Sequence, residues 1–338
     1  MQNSKEDFFN PSFSHIYIEK KAWNHRNTKK IVNYFPKGKI IMIHHYKEVF
    51  SRGSQDFHLQ KKSSKIILAT KENHLIYRGA DVCDDFGNKH FYYTSSMMNC
   101  VYDCAYCYLQ GMYTSGNIVV FVNIEDIFCE IERMLKEHPV YLCISYDTDI
   151  LAFEKVLGYG KEWIDFASKH PKLTIELRTK STNIEILKNV KAQENIILAW
   201  TLSPIEVIQK FEKKTPPLMQ RLQSIKEVLD RGWNVRLCFD PLLAIDNWKD
   251  VYRRFINTVF MEVPGDKIYD ISMGIFRVSK EYLKRMRKQR PESLLLHYPY
   301  EMVNGLYSYH EAISKDMLDY VFHLVHQHVV NDKLYVKG

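Results

Sequence analysis

No run in this chain of 338 residues approaches the ~20 consecutive apolar residues that a membrane-spanning helix needs. The opening Met-Gln-Asn-Ser-Lys-Glu-Asp is polar and leads into no apolar stretch, so no secretion signal is expected. G-x-G-x-x-G, P-loop and serine-nucleophile signatures are missing, which leaves dinucleotide, nucleoside-triphosphate and acyl-transfer chemistry without a motif. Internal repeats and low-complexity tracts are missing too. The seven cysteines are an odd number, and no second C-x2-C pair accompanies the one that is present. Three of the seven are clustered at ligand spacing. Both facts argue against a disulfide scaffold and for a reducing compartment, hence a cytoplasmic protein.

What is present is ordinary in bulk and unusual in one place. Hydrophobic residues make up 46% and charged residues 26%, the balance of a globular protein with an ample core. Tyrosine (22) and phenylalanine (18) are plentiful enough to supply stacking surfaces. The net charge of +7 and a pI of about 8.8 fit a nucleic-acid partner, but equally a basic surface with no special partner.

The first 90 residues read as irregular. A strand and turn are expected from Val32 to Lys39, a strand from Ile40, and another from Lys65 to Thr70. From residue 90 the pattern becomes regular. Strands are expected at Phe91–Ser95, Tyr141–Ser145, Leu173–Arg178, Ile196–Leu202, Asn234–Phe239 and Tyr269–Gly274. Helical periodicity falls between them, beginning with a helix after Asn123 as N-cap. Six strands alternating with helices predict an α/β fold with a parallel sheet and right-handed crossovers, open or curled into a partial barrel. The stretch from His310 to about Val330 reads as one amphipathic helix. The expected organisation is a mixed α/β extension over 1–88, a core over 89–277 and a C-terminal helical segment over 278–338.

The unusual place is Cys100-Val-Tyr-Asp-Cys104-Ala-Tyr-Cys107-Tyr-Leu. C-x3-C-x2-C supplies three thiolates. A [4Fe-4S] cluster takes one cysteine per iron, so three leave one iron with an open position. An open position is what a metal needs to bind and transform a substrate. A structural zinc site is the alternative, and it requires a fourth ligand such as His90 or Cys83. Three unrelated buried cysteines are a further alternative. The loop follows the strand at 91–95, and sites in barrels gather at the C-terminal ends of strands.

This spacing, with Tyr106 just before the third cysteine, resembles the signature of the radical S-adenosylmethionine enzymes. The resemblance implies a (β/α)6 partial TIM barrel with the cluster loop after strand one. It also implies a [4Fe-4S] cluster and S-adenosylmethionine as cofactors, and a reducing electron donor such as flavodoxin or ferredoxin. The text narrows at Cys104-Ala-Tyr-Cys-Tyr-Leu-Gln followed by Phe121-Val-Asn, which resembles the spore photoproduct lyase family. Thr148-Asp-Ile, Thr179-Lys180, Thr201, the segment Val207-Ile-x-x-Phe-Glu-x-x-Thr-x-Pro-Leu, and Pro241 extend the likeness over roughly residues 88–260. That family reverses a methylene-bridged thymine dimer, so damaged DNA is the implied partner. Carried over by position, Cys100, Cys104 and Cys107 hold the cluster. Tyr106, Thr148, Lys180 and Thr201 contact S-adenosylmethionine, and Tyr106 and Tyr108 lie near the hydrogen-transfer path.

Two departures bear on the substrate. Tyr146 stands where the family keeps the cysteine that returns hydrogen to the product. Cys143 lies three residues earlier, on the opposite face of a regular strand. Tyr146 and Cys143 are therefore the two candidate hydrogen donors. The family's Arg-Tyr-x-x-x-Lys-Tyr stretch is replaced by Glu301-Met-Val-Asn-Gly-Leu-Tyr-Ser-Tyr. A radical enzyme with another nucleic acid, a peptide or a small molecule as substrate therefore stands as the alternative, and a zinc-stabilised nucleic-acid-binding protein as a third. The basic run Lys284–Arg290, with tyrosines nearby, is either a nucleic-acid contact or a solvated helix face. Asp147 and Asp149 are candidates for the amine of S-adenosylmethionine or for local capping.

Overall fold

The computed structural model describes residues 12–80 and 83–337. Six parallel strands, neighbours in sequence and in space, form a curled half-barrel: β1 (Phe91–Tyr93), β2 (Val140–Cys143), β3 (Leu173–Thr179), β4 (Ile196–Thr201), β5 (Asn234–Leu242) and β6 (Asp270–Ile275). A seventh parallel strand, β7 (Leu334–Lys337), pairs with β6, and Tyr77–Arg78 runs antiparallel along β1. The six expected strands are all present. β7 was not expected, since the helix foreseen to Val330 ends at His326 and the chain returns to the sheet edge.

Alternation sorts each strand into two faces. Leu142, Ile175, Leu177, Leu198, Trp200, Val235 and Leu237 point outward to the helices and make the main core. The inward positions are largely polar. Near the floor, Arg236 forms ion pairs with Glu176 and Asp270, also donates to the Tyr141 hydroxyl (2.7 Å), and lies over the Phe86 ring at 3.3 Å. All four polar side chains are buried. The pairing satisfies charges that could not otherwise leave water, and it plugs the barrel.

A second sheet precedes and flanks the barrel, in the order Lys39–Ile43, His15–Glu19, Ile66–Ala69, Ile118–Phe121, Met97–Met98. Its first four strands are parallel. Ile118–Phe121, wholly apolar and wholly buried, comes from beyond the cysteine loop and returns to this sheet. The strand and turn expected from Val32 is instead the end of a helix, Arg26–Tyr34, entered through the His25 side chain, which accepts from the Asn27 amide. Ile31 and Phe35 are buried one turn apart, so the 3.6-residue period prevails over the β-branched Val32. Among the described residues, no helix is long and apolar enough to cross a membrane.

Candidate metal centre and barrel mouth

The cysteine loop sits where β1 ends, and two contacts hold it there. Asp103–Cys104 pairs antiparallel with Glu212–Lys213, the strand that follows helix Ile205–Phe211. Arg290, buried at the end of helix Lys280–Gln289, donates to Asp103 and to Gln110 Oε1 (2.7 Å). Cys100, Cys104 and Cys107 line one cavity together with Lys61, Asn99 and Arg290. Burial pushes all three thiols up, that of Cys100 to about 12, while Lys61 and Lys180 oppose the rise. Anionic sulfur at this place therefore needs a cation to replace its protons.

His90 stacks on His138 and Cys83 contacts Tyr146, so neither proposed fourth zinc ligand lines the cysteine cavity. Among the described residues, no group of three or more His, Cys, Asp or Glu side chains is gathered closely enough to hold a single ion. Three thiols around one cavity, spread out and with cationic groups in its wall, fit a cluster carrying delocalised negative charge better than one zinc ion.

Lys61 makes part of that wall. It belongs to helix Phe57–Lys62, is buried, and donates to the Cys100 carbonyl. Lys214 in turn donates to the Lys61 carbonyl (2.7 Å).

On the barrel side, Tyr106 donates its hydroxyl to Glu212. Glu212 also takes Arg221 Nη2 at 2.6 Å and the Ser203 hydroxyl at 3.0 Å. Both partners of the Glu212–Arg221 ion pair are fully buried. Burial alone would raise the Glu212 carboxyl, but Arg221 and Lys180 outweigh it and hold the group down at about 2. Arg221 Nη1 also donates to the Thr201 carbonyl (3.1 Å), which fixes the end of β4. The Lys180 ammonium lies 5.5 Å from the Tyr106 ring centroid. Its burial is outweighed by Glu212 and Cys104, so it is held above its usual value. Lys180, at the mouth end of β3, thus meets the loop at Tyr106, and Thr201, at the end of β4, is tied to the same Glu212–Arg221 pair through its carbonyl.

Thr148 is half-buried between two acids with different partners. Asp149 accepts from the Lys180 amide (2.7 Å), the Thr179 hydroxyl (2.8 Å) and the Ala152 amide (3.0 Å). Asp149 is therefore a capping residue that ties β2 to β3. Asp147 accepts from the Ser95 hydroxyl, and its Oδ1 has no hydrogen-bond partner.

Tyr108 donates to the Tyr146 carbonyl (2.6 Å), joining the cysteine loop to the segment just after β2. Tyr146 stacks on Tyr93 at 4.1 Å, and its hydroxyl lies 3.5 Å from Cys83 Sγ. Tyr93 is the register partner of Cys143. Cys143 packs in the inward cluster of Phe86, Phe91, Tyr141 and Ile197, together with Cys83. β2 ends at Cys143, so no regular alternation carries on to Tyr146. Cys83 escaped sequence reasoning as a thiol of the barrel mouth because it lies 63 residues from Tyr146 in the chain.

The basic run at 284–290 is mostly engaged inside the protein. Arg285 donates to the Gly111 carbonyl (3.2 Å), Arg287 to the carbonyls of Leu296 (2.7 Å) and Tyr298 (3.1 Å), and Arg290 to the cluster loop. Lys280, Lys284 and Lys288 are the exposed lysines of that helix. The run clamps the C-terminal segment onto the cysteine loop.

The model of the spore photoproduct lyase family matches residues 9–298. A spore photoproduct lyase of Clostridium acetobutylicum is 22% identical over 203 residues, covering 58% of this chain and 59% of that relative. The match thus spans about three-fifths of the relative's length. A spore photoproduct lyase mutant, solved with bound S-adenosylmethionine and dinucleoside spore photoproduct, superimposes with a TM-score of 0.82 at 19% identity. The match covers 97% of this chain and 99% of that one. A spore photoproduct lyase complexed with dinucleoside spore photoproduct gives a TM-score of 0.82 at 18% identity, over 98% and 99% of the two chains. These likenesses establish the half-barrel fold.

Proposed function

Because the chain belongs to the spore photoproduct lyase family, we propose that it is a radical S-adenosylmethionine lyase that reverses a thymine dimer in damaged DNA. The observation that carries the reading is the cysteine loop at the mouth of the half-barrel, braced from behind by Arg290 and with the Lys180 ammonium over the ring of its Tyr106. Cys100, Cys104 and Cys107 would hold a [4Fe-4S] cluster, which with S-adenosylmethionine bound would supply the radical chemistry for hydrogen abstraction.

The chain's own residues do the positioning. Lys180 offers a cation to a carboxylate arriving between β3 and the loop. Glu212 and Arg221 hold Tyr106 rigid, so the wall against which a ligand packs is fixed beforehand. Asp149 pins the Lys180 backbone. Tyr146 and Cys83 sit together at the mouth, and burial keeps both protonated, the thiol raised above its usual range. A hydrogen atom passing from the Cys83 sulfur to a substrate carbon radical forms one C–H bond and breaks one S–H bond. The Tyr146 hydroxyl hydrogen is placed to restore the thiol, leaving the unpaired electron on the tyrosyl oxygen. Cys143, at the end of β2 and beside Tyr93, is the second thiol near this mouth.

The test starts with anaerobic purification. About four irons per chain are expected for a [4Fe-4S] site, and a colourless zinc protein would refute the reading. Reduced enzyme with S-adenosylmethionine and dinucleoside spore photoproduct should yield two thymidines. Formation of 5′-deoxyadenosine without thymidine would keep the radical chemistry and remove this substrate.

A further inference from the structure

The four parallel strands of the N-terminal sheet have the spatial order second, first, third, fourth. The order reverses between the strands His15–Glu19 and Ile66–Ala69. In open α/β sheets such a reversal leaves a crevice beyond the C-terminal strand ends, and ligands bind there. A cavity of about 480 Å³ lies at this place, within the usual range for a small-molecule site. Its wall is shared with the end of the half-barrel's β1 and β2 through Tyr93, Ser95 and Asp147.

Three features of the lining point to one kind of ligand. Lys71 is buried, and the Asn123 side chain clamps its backbone at both amide (2.8 Å) and carbonyl (3.0 Å). Its ammonium donates to the Ser95 carbonyl (3.2 Å) and lies between the Tyr77 and Phe121 rings, at 4.9 and 5.1 Å. No carboxylate lies within ion-pair distance of it among the described residues. Asp147 is 4% exposed and lines the same cavity, where one oxygen accepts from Ser95 and the other has only the nearby Tyr113 hydroxyl, too far for a full hydrogen bond, beside it. His74, Tyr77, Tyr93 and Tyr146 form one stacked column, at 6.2, 4.9 and 4.1 Å between successive rings, and the exposed His74 at its end is the ring left for a further planar group to join. A buried cation, a buried acceptor and flat aromatic faces in one cavity ask for an anion, a hydrogen-bond donor and a planar ring in one ligand. A nucleotide carries all three.

We propose that this cavity is a nucleotide subsite, which takes a nucleotide of the DNA strand flanking the one that enters the barrel. Lys71 meets its phosphate, Asp147 its base N–H, and the His74 end of the Tyr77-supported column its ring. The proposal rests on the lyase reading for the identity of the strand. The cavity's preference for a nucleotide is tested separately.

Binding of a fluorescein-labelled single-stranded thymidylate hexamer is measured by anisotropy, and thymidine 5′-monophosphate is titrated by calorimetry. Turnover of dinucleoside spore photoproduct is followed in parallel. Lys71→Met and Tyr77→Leu should each weaken the hexamer roughly tenfold, on the scale of losing one stacked or phosphate contact. Both should leave dinucleoside turnover in place, because two nucleosides do not reach the subsite. Thermal unfolding confirms that each variant is folded. Unchanged hexamer affinity in both variants overturns the proposal. So does a parallel loss of dinucleoside turnover, which makes the cavity part of the catalytic site. Monophosphate binding as tight as the hexamer also overturns it, in favour of a free nucleotide. If the wild type binds the hexamer but never turns over the dinucleoside, the lyase reading fails while the subsite stands.

Discussion

Replacing Lys71 by methionine should make this protein more stable. The ammonium is buried with one carbonyl acceptor, and burial pulls it from 10.5 to about 8 despite the nearby Asp147. That drop corresponds to about 3 kcal/mol of differential destabilisation of the charged form. The folded value lies below the unfolded one. Between about 8 and 10.5 the unfolded chain therefore binds more protons, and stability rises with pH through that window. Below pH 8 the full cost of holding the charged lysine is present. Methionine removes that cost, keeps most of the side-chain volume, and leaves the Ser95 carbonyl without its donor, a loss of about 1 kcal/mol. The expected net gain is about 2 kcal/mol at pH 7, shrinking as the pH approaches 10.5. Urea unfolding of both proteins at pH 7 and at pH 10 measures it, with the difference between proteins cancelling the other titrations. A variant that is less stable at both pH values, by the same amount, would show that Lys71 is a structural member of the fold and refute the reasoning.

Three further outcomes follow from the site. Glu212→Gln should cost about 3–5 kcal/mol, because it leaves Arg221 buried without its partner. Glu212 is held at about 2 against 4.5 unfolded, so the pair's contribution is complete above pH 4.5 and fades as the pH falls toward 2. Acid unfolding of wild type and variant should therefore converge. Arg290→Met should lower iron retained after anaerobic reconstitution, since Asp103 and Gln110 lose the clamp on the cysteine loop. Unchanged iron per chain would show that the pairing with Glu212–Lys213 suffices. Cys83→Ala and Tyr146→Phe should keep 5′-deoxyadenosine formation and cut thymidine yield, with turnover in D2O losing the deuterium that the wild type delivers to product. Cys143→Ala affecting the yield instead would move the donor to the end of β2.

The half-barrel was legible because its strands carry long β-branched and apolar stretches separated by helical periods, such as Leu173–Thr179 and Asn234–Leu242. Ile118–Phe121 was not, since four apolar residues carry no period and the neighbouring text reads as loop. The three cysteines that line one cavity were legible from spacing alone. The groups that surround them, Lys61, Glu212, Arg221 and Arg290, were not, because each reaches the loop across a long chain separation or through a helix whose charges look solvated. Lys284–Arg290 illustrates the limit. The density of basic residues is visible in the text, but the Gly111, Leu296 and Tyr298 carbonyls that absorb it are found only in three dimensions. Cys83 and Lys71 are legible as residues and silent as functions for the same reason.

The strand Ile118–Phe121 also limits how this protein can be divided. It is an interior strand of the N-terminal sheet, hydrogen-bonded to Ile66–Ala69 on one side and Met97–Met98 on the other, yet it is supplied by chain that lies beyond the cysteines. A truncation beginning at residue 89 would strip one hydrogen-bonding edge from a strand of Ile, Val, Val and Phe. Such an edge, apolar and uncharged, is a template for pairing with other chains. The front of the molecule is therefore not a removable accessory. A shortened chain made to isolate the cysteine loop should precipitate, and a fusion partner or tag belongs at the chain ends rather than at the boundary between the two sheets.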